Sequence, residues 1–290
     1  MTIAIAVQVH DGIVLASDSA STLFLHHPQK DPEIVNVYNH ANKIFNLRKG
    51  APIGGMTFGM GSIGVSSIST LAKDLRRRFS GEDKNHLDWK INLDAYSIEE
   101  IAVRAREFLY DECYTPLGLP PAPGVQFGFT VGGYSSGAQT SELWSISIEN
   151  GQCAAPSNLI TQNEAKAHAF GEPEVFSRIA LGYSQKLGAA LVNLGLNPAD
   201  VPGALAQIRA ETECVLVEAP MPIQDAVDLA EYLVHCTAMY TRFKRGAATV
   251  GGPIEIAAIT KHEGFKWVRR KHYFSRTLNP TERDHEAGYE

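Results

Sequence analysis

Cysteines and long apolar runs are scarce in this sequence, and both shortages restrict the class of protein. No CxxC pair and no Cys/His ligand spacing occurs, so the cysteines are predicted to be buried free thiols in a reducing compartment. No run of about 20 apolar residues is present, and His10 and Asp11 interrupt the apolar N-terminus too early for a secretory signal. We therefore expect a cytoplasmic protein without a membrane partner. The cysteines are Cys113, Cys153, Cys214 and Cys236.

Positive charge is also in short supply. The chain has 26 lysines and arginines against 32 acidic residues, a net charge of -6, which argues against a broad nucleic-acid-binding surface. Two short basic runs, residues 76–78 and 269–271, are interpreted as solvated surface. No nucleic-acid partner is expected.

Strand-like runs occur in pairs around turn signals, which predicts β-hairpins. The first pair, residues 3–9 and 13–17, flanks Asp11-Gly12. Because strands and helical patterns do not alternate as βαβ units require, the predicted fold class is α+β with antiparallel sheets. The further strand pairs are 43–47 with 52–59, 125–133 with 142–148 and 254–260 with 265–268; the helical patterns are 62–79, 97–111, 173–194, 199–216 and 222–242.

Two motifs with catalytic associations are interpreted as structural. Residues 59–64 match the dinucleotide fingerprint GxGxxG, but the segment after the predicted helix is too polar for the buried parallel strand that this motif needs. Residues 133–137 match the GxSxG elbow of serine hydrolases, but a strand-like run follows, so Ser135 is expected in a hairpin turn. His262-Glu263 lacks a second histidine, and His26-His27 has no companion ligands. No metal and no cofactor is therefore expected.

Threonine follows the initiator methionine, which is generally removed when the next residue is small. The mature chain would then begin with the free amine of Thr2. An α-amino group has an ordinary pKa of about 7.7 to 8.0 and is able to act as the base for the hydroxyl of the same residue. Threonine at this position is common, so the hypothesis needs support from other residues.

A set of short motifs follows Thr2 along most of the chain. The motifs are residues 2–7, residues 11–19, Asn42-Lys43-Ile44-Phe45, Phe58-Gly59-Met60-Gly61, residues 129–148, Phe170-Gly171-Glu172 and residues 225–260. In this order they resemble the proteasome β-subunit and HslV-like superfamily of N-terminal-nucleophile (Ntn) threonine hydrolases. The Gly171-Glu172 pair is similar to the bacterial Anbu-type members, in which Glu follows that Gly.

The resemblance implies a role for each matching residue. Thr2 would supply the nucleophilic hydroxyl, with its own amine as the base. Lys43 would lie beside it as a cation, held by an ion pair with Asp18. Gly59 would donate its backbone N–H to the oxyanion, and Ser19 would help to position Thr2.

The resemblance also implies an architecture and partners. We expect a four-layer αββα sandwich of two antiparallel sheets, formed by a single domain over residues 1–274, with a weakly ordered tail over 275–290. The chain exceeds the usual length of the family, and insertions are predicted near 22–40, 80–124 and 186–222. A homo-oligomer, either a ring or a helical assembly, is expected, with a peptide or unfolded-protein substrate and an ATPase as a candidate partner.

One departure from the family pattern keeps other functions open. The family usually places Asp, and often Ser, before the Gly-Gly ahead of the last hairpin, whereas residues 246–252 contain no carboxylate. One hypothesis is a threonine-type peptidase in which Glu172, Thr249 or water serves the amine. The alternatives are a catalytically inactive scaffold subunit and an Ntn amidase that acts on small amides.

Overall fold

The computed structural model describes residues 2–27, 30–121 and 125–271 of this α+β protein. The strands are β1 (Ile3–Val9), β2 (Gly12–Ser17), β3 (Ser21–His27), β4 (Lys30–Tyr38), β5 (Ile44–Asn46), β6 (Ile53–Gly59), β7 (Ser62–Ile63), β8 (Ser66–Ser67), β9 (Val125–Gly133), β10 (Glu142–Glu149), β11 (Gln152–Cys153), β12 (Ser157–Ile160), β13 (Lys166–Gly171), β14 (Glu255–Thr260) and β15 (Gly264–Arg269). The α-helices are α1 (Ile68–Ser80), α2 (Ile98–Arg106), α3 (Glu174–Phe176), α4 (Leu187–Asn193), α5 (Val201–Thr212) and α6 (Ile223–Phe243). Wider π-type turns extend α2 over Glu107–Tyr114 and α3 over Ser177–Leu181, and single 3-10 turns lie at Leu87–Trp89, Thr115–Leu117 and Pro198–Asp200.

A five-stranded antiparallel sheet contains the N-terminal strand, in the order β13-β1-β2-β14-β15. Every residue of β1 is buried, because alternate side chains enter two different cores. Ile3 and Ile5 pack in the core that includes helix α6, whereas Ala4 and Ala6 lie in the core shared with a second sheet. The continuous apolar run is therefore the sequence of a strand that is covered on both faces.

The second sheet has the order β11-β10-β9-β6-β5, with β12 also paired to β10. Helices α1 and α2 cover it, and Phe79 of α1 and Ile101 of α2 share a core with Phe127 and Phe129 of β9. The described chain thus has three apolar cores: one between α6 and the first sheet, one between the sheets, and one between the second sheet and α1 and α2.

Helix starts follow the capping chemistry of the sequence. Ser97 accepts the N–H of Glu100 at 3.0 Å and begins α2 where the motif predicts it. Ser67 accepts the N–H of Thr70 at 3.1 Å, so α1 begins at Ile68 rather than at Ser62 as predicted. The short strands β7 and β8 occupy the residues in between, because the true cap lies after them.

Three segments differ from the sequence predictions. The stretch 22–40, for which an insertion without strands was predicted, contains the β3–β4 hairpin, in which β-prone residues such as Leu23 and Val35 take part. Strand β13 was not predicted at all. The helix predicted over 173–194 is broken, with Gly182 at a φ of +80° ending its first part.

The basic runs and cysteines are less uniform than predicted. Arg78 is 8% exposed and makes a bidentate contact with Glu112 at 2.7 and 2.8 Å, so it is not solvated surface. Cys214 is exposed rather than buried. Among the residues that the structure describes, every helix is too short or too polar to cross a bilayer. The predicted tail, 275–290, lies outside the described residues.

Candidate active site

Thr2 lies at the head of β1, where the end of β2 holds the next residue in place. Thr2 itself is 4% exposed. The N–H of Ile3 donates to Oδ1 of Asp18 over 3.1 Å, and the N–H of Asp18 donates to the carbonyl of Ile3 over 3.2 Å. These reciprocal bonds fix Ile3 against Asp18, the residue that follows β2. The structure therefore places Asp18 beside the residue next to Thr2.

A buried ion pair joins Asp18 to Lys43, the residue before β5. Nζ of Lys43 lies 2.6 Å from Oδ1 of Asp18, and the two side chains are 6% and 1% exposed. Oδ2 of Asp18 accepts the N–H groups of Ala20 and Gly251, each at 3.0 Å. Burial lowers the pKa of the Lys43 ammonium, and the Asp18 carboxylate opposes that shift. Asp18 is therefore the common anchor of Lys43, β1 and the segment before β14.

The glycine turn after β13 contacts Thr2 directly. The carbonyl of Thr2 accepts the N–H of Glu172 at 2.8 Å. Gly171 has a φ of +86°, and a Cβ there would lie 2.0 Å from the Thr2 carbonyl oxygen. Only glycine fits this close approach. The Glu172 side chain is mostly buried and faces Lys244, with 3.7 Å between Oε1 and Nζ.

Gly59 ends β6, on the sheet opposite Thr2. It is exposed and has a φ of +83°, which favours glycine. The ring of Phe58 stacks on Phe170 with 4.9 Å between centroids, and Phe170 pairs with Ala4 of β1. This stacking joins the ends of β6 and β13 close to the head of β1. Gly59, for which the oxyanion role was predicted, is at this end of β6.

Ser19, the last of the predicted site residues, is held by a second charged pair. Its hydroxyl donates to the carbonyl of Pro253 at 2.6 Å and accepts from Nζ of Lys271 at 2.6 Å. Lys271 also lies 3.0 Å from Oε2 of Glu255, and these two side chains are 7% and 2% exposed. Four charged side chains are thus gathered beside β1, two acidic and two basic.

Glu255 and Lys271 were missed by the sequence interpretation. Lys271 belongs to the run 269–271, and the prediction of solvated surface is wrong for it. The pairing of Ile256 with Arg269 brings the segment that follows β15 alongside the start of β14, and Lys271, two residues after β15, reaches Glu255 there. The available signal was Glu255 itself, a carboxylate inside an apolar strand, which requires a buried partner.

The segment without a family carboxylate contributes backbone groups instead. Gly251 donates its N–H to Asp18 and accepts the N–H of Ser19 at 2.9 Å. Thr249 is 1% exposed, and its Oγ1 has no hydrogen-bond partner within the described residues.

The GxSxG motif lies elsewhere, in the connection between β9 and β10, as predicted. The Ser135 hydroxyl accepts the N–H of Ile98 at 2.9 Å and donates to Glu142 at 2.6 Å, so it has a structural role. In the described ranges, no group of three His, Cys, Asp or Glu side chains is arranged to hold a metal ion.

Comparison with known proteins finds solved structures that are similar to this chain over 99% of its length. No protein-family model and no curated sequence matches the chain. A mutant of Anbu from Hyphomicrobium sp. strain MC1 is similar in structure, with a TM-score of 0.50 and 13% identity over 99% of this chain and 91% of that chain. The Anbu complex from Pseudomonas aeruginosa, solved as a helical assembly, has a TM-score of 0.49 and 14% identity over 99% and 93% of the two chains. At the level of the fold, this chain is similar to the Anbu proteins, as its sequence motifs predicted.

Proposed function

We propose that this chain is a threonine-type Ntn hydrolase that cleaves peptide amide bonds, with Thr2 as its nucleophile after removal of Met1. The observation that carries the proposal is the buried ion pair between Asp18 and Lys43. The same Asp18 carboxylate binds the N–H of Ile3, which ties the pair to the residue next to Thr2. A buried ammonium with a lowered pKa at the head of a strand is typical of a catalytic site.

The proposed reaction uses the hydroxyl and the amine of one residue. The Thr2 oxygen attacks the amide carbon, its proton passes to the α-amine, and the carbonyl becomes an oxyanion to which the Gly59 N–H donates. Collapse of this intermediate breaks the C–N bond, and the departing amine takes the proton from the α-ammonium. The ester left on Thr2 is then hydrolysed by water, with the α-amine again accepting a proton.

Lys43 acts through its charge in this proposal. A cation close to Thr2 favours the neutral form of the α-amine, which is the form able to accept a proton. It also stabilises the negative charge that develops on the attacking oxygen. Because Asp18 is the one hydrogen-bonding partner of Nζ among the described residues, loss of Asp18 would displace this charge.

We further propose a four-layer αββα arrangement of the domain, which the three separate apolar cores support.

We also propose that the protein acts in the cytoplasm as a homo-oligomer, either a ring or a helical assembly, with an ATPase as the candidate partner that supplies unfolded chains. Size-exclusion chromatography with light scattering tests the homo-oligomer. A monomer at all concentrations would contradict it.

Thr2→Ala and Thr2→Ser, compared with the wild type, test the function. Turnover of fluorogenic peptide amides should disappear in Thr2→Ala and persist at a reduced rate in Thr2→Ser, because serine keeps both the hydroxyl and the amine. Mass spectrometry of the wild type should find a chain that begins at Thr2. An epoxyketone probe, which reacts with both groups, should form an adduct on Thr2.

The alternatives give different results. Unchanged turnover in Thr2→Ala would refute Thr2 as the nucleophile. A chain that retains Met1 or carries an acetylated Thr2, or a processed chain without a probe adduct, would indicate a scaffold subunit. Turnover of small amides without turnover of peptides would indicate an amidase.

A further inference from the structure

We propose, building on the hydrolase function above, that Glu255 and Lys271 are positioning residues: their buried ion pair fixes Ser19 and balances the charge of the Asp18–Lys43 pair. The resemblance gives no role to either residue: Glu255 falls within the motif 225–260 without a function assigned to it, and Lys271 lies outside every motif. Glu255 is the first residue of β14 in the final hairpin, and Lys271 lies two residues after β15, its last strand.

The surroundings of Lys271 form a complete site for an ammonium group. An ammonium has three N–H donors, and Nζ of Lys271 has three acceptors. These are Oγ of Ser19 at 2.6 Å, the carbonyl of Ala41 at 2.6 Å and Oε2 of Glu255 at 3.0 Å. The acceptors come from three separate segments, and the lysine side chain is 7% exposed. Such an arrangement differs from a surface ion pair, in which water supplies most of the partners.

The contacts of Lys271 reach chain neighbours of both members of the Asp18–Lys43 pair. Ser19 follows Asp18 directly, and Ala41 lies two residues before Lys43 along the chain. The N–H of Ala41 donates to the carbonyl of Ser19 at 2.9 Å, so the backbones of these two residues are also bonded to each other. Lys271 therefore closes a connection between the segment that carries the carboxylate and the segment that carries the cation.

Glu255 is placed by the strand register. It pairs with Ser17 across β2 and β14, and Ser17 precedes Asp18. The two carboxylates thus come from neighbouring strands of the same sheet. Because Glu255 is 2% exposed, its charge has to be compensated inside the protein, and Lys271 compensates it.

The two pairs also interact through their charges. Burial is the main cause that lowers the pKa of Lys43, Asp18 opposes it, Lys271 lowers it further, and Glu255 raises it. Burial likewise lowers the pKa of Lys271, while Glu255 and Asp18 raise it and Arg270 lowers it. Lys271 and Glu255 therefore act on the pKa of Lys43 in opposite directions.

Helix α1 faces the same region with two further cations. Lys73 and Arg76, together with Arg270, line a small cleft that also contacts Glu255. Lys73 is exposed, so it serves as a matched control for the loss of a nearby lysine.

An NMR titration of the lysine ε-methylene resonances tests the proposal without the need for catalysis. The Lys43 resonance, assigned with Lys43→Met, should titrate at a higher pH in Lys271→Met, because a repelling cation is removed. It should titrate at a lower pH in Glu255→Gln, because an attracting carboxylate is removed. The double variant should lie between the two single variants, and Lys73→Met should match the wild type.

Shifts of the Lys43 titration to higher pH in Lys271→Met and to lower pH in Glu255→Gln support the proposal. If one of these variants does not fold, a shift of the expected sign in the other supports it. An unchanged Lys43 titration, or shifts in the same direction in both variants, overturns it. A test on the unmodified protein guards against misfolded variants. Reductive methylation should label Lys73 and spare Lys271, and labelling of both lysines at equal rates would overturn the buried pair.

The pH profile of kcat/KM on a fluorogenic peptide amide separates this inference from the proposed function. The rise of kcat/KM on the acidic side of the profile should shift to higher pH in Lys271→Met and to lower pH in Glu255→Gln, because the same two charges act on the pKa of the Thr2 amine. A purely structural role would lower the rate and leave the limb in place, which would contradict the positioning role. If the processed wild type hydrolyses nothing, the proposed function fails, while the NMR titration still decides the charge balance.

Discussion

The Asp18–Lys43 pair should respond unequally to the loss of its two members. Asp18→Ala leaves a buried ammonium whose hydrogen-bonding partner is gone, together with the orphaned N–H groups of Ile3, Ala20 and Gly251. Lys43→Met removes the ammonium but keeps a side chain of similar length. The Asp18 carboxylate then retains its three backbone donors.

The structure sets the sizes of these effects. Removing one partner of a buried ion pair lowers the free energy of unfolding by about 3–5 kcal/mol, since the remaining charge is uncompensated. Asp18→Ala should fall in or above this range, because each orphaned buried N–H adds about 1–3 kcal/mol unless water replaces the lost acceptor. Lys43→Met should lower stability by roughly half as much or less, because three N–H donors still compensate the carboxylate. The double variant should be more stable than Asp18→Ala alone, since no cation is stranded.

Urea unfolding followed by tryptophan fluorescence measures these differences at a fixed protein concentration, with unchanged m-values as the condition for comparison. The exposed pair Arg209–Glu213 supplies a control, and its loss should change stability by about 0.5 kcal/mol or less. Equal losses in Asp18→Ala and Lys43→Met would refute the reasoning. A double variant less stable than Asp18→Ala would refute it as well.

Two further predictions concern β13 and its turn. Gly171→Ala should unfold at a lower urea concentration than the control Gly137→Ala. Both positions have a positive φ, whose strain costs of order 1–3 kcal/mol, but only a Cβ at Gly171 would clash with the Thr2 carbonyl, since the space around Gly137 is open. Equal urea midpoints would contradict the clash. Burial, with a smaller effect of Lys166, lowers the pKa of His168 below its ordinary value of 6.5. As the pH falls, the unfolded chain therefore binds a proton at this histidine before the folded chain does, and the free energy of unfolding decreases below pH 6.5. His168→Phe should lack this loss, and parallel pH dependences of the two unfolding midpoints would disprove it.

The predicted elements that the structure reproduces are those with local signals. Residues 3–17 form a hairpin because Asp11-Gly12 turns the chain between two apolar runs, and Ser97 begins α2 because it caps its first turn. Strand β13 has neither kind of signal. Its residues are mostly half-buried, and its identity as a strand depends on pairing with β1, which lies more than 150 residues away in the chain and is invisible to local patterns.

The candidate site shows the same division. Thr2, Asp18 and Lys43 were found through the resemblance of short motifs, and the structure brings Asp18 and Lys43 into contact. Lys271 belongs to a basic run that is usually solvated, and its partner Ser19 lies 252 positions away. No local feature distinguishes a lysine that remains in water from one that a distant carboxylate buries, so this member of the site required the fold.

In the proposed mechanism, the pairing of charges near Thr2 would help a mostly buried site to keep the α-amine of Thr2 unprotonated. Asp18 and Glu255 balance Lys43 and Lys271, so this cluster has no net charge before the Thr2 amine is counted. Protonation of the amine would add an unpaired positive charge close to Lys43, in a region largely removed from water. The surroundings therefore favour the neutral amine, which is the form that the proposed mechanism needs. We infer that a carboxylate within 246–252 is not required for this balance, because Glu255 on the following strand already supplies the second negative charge.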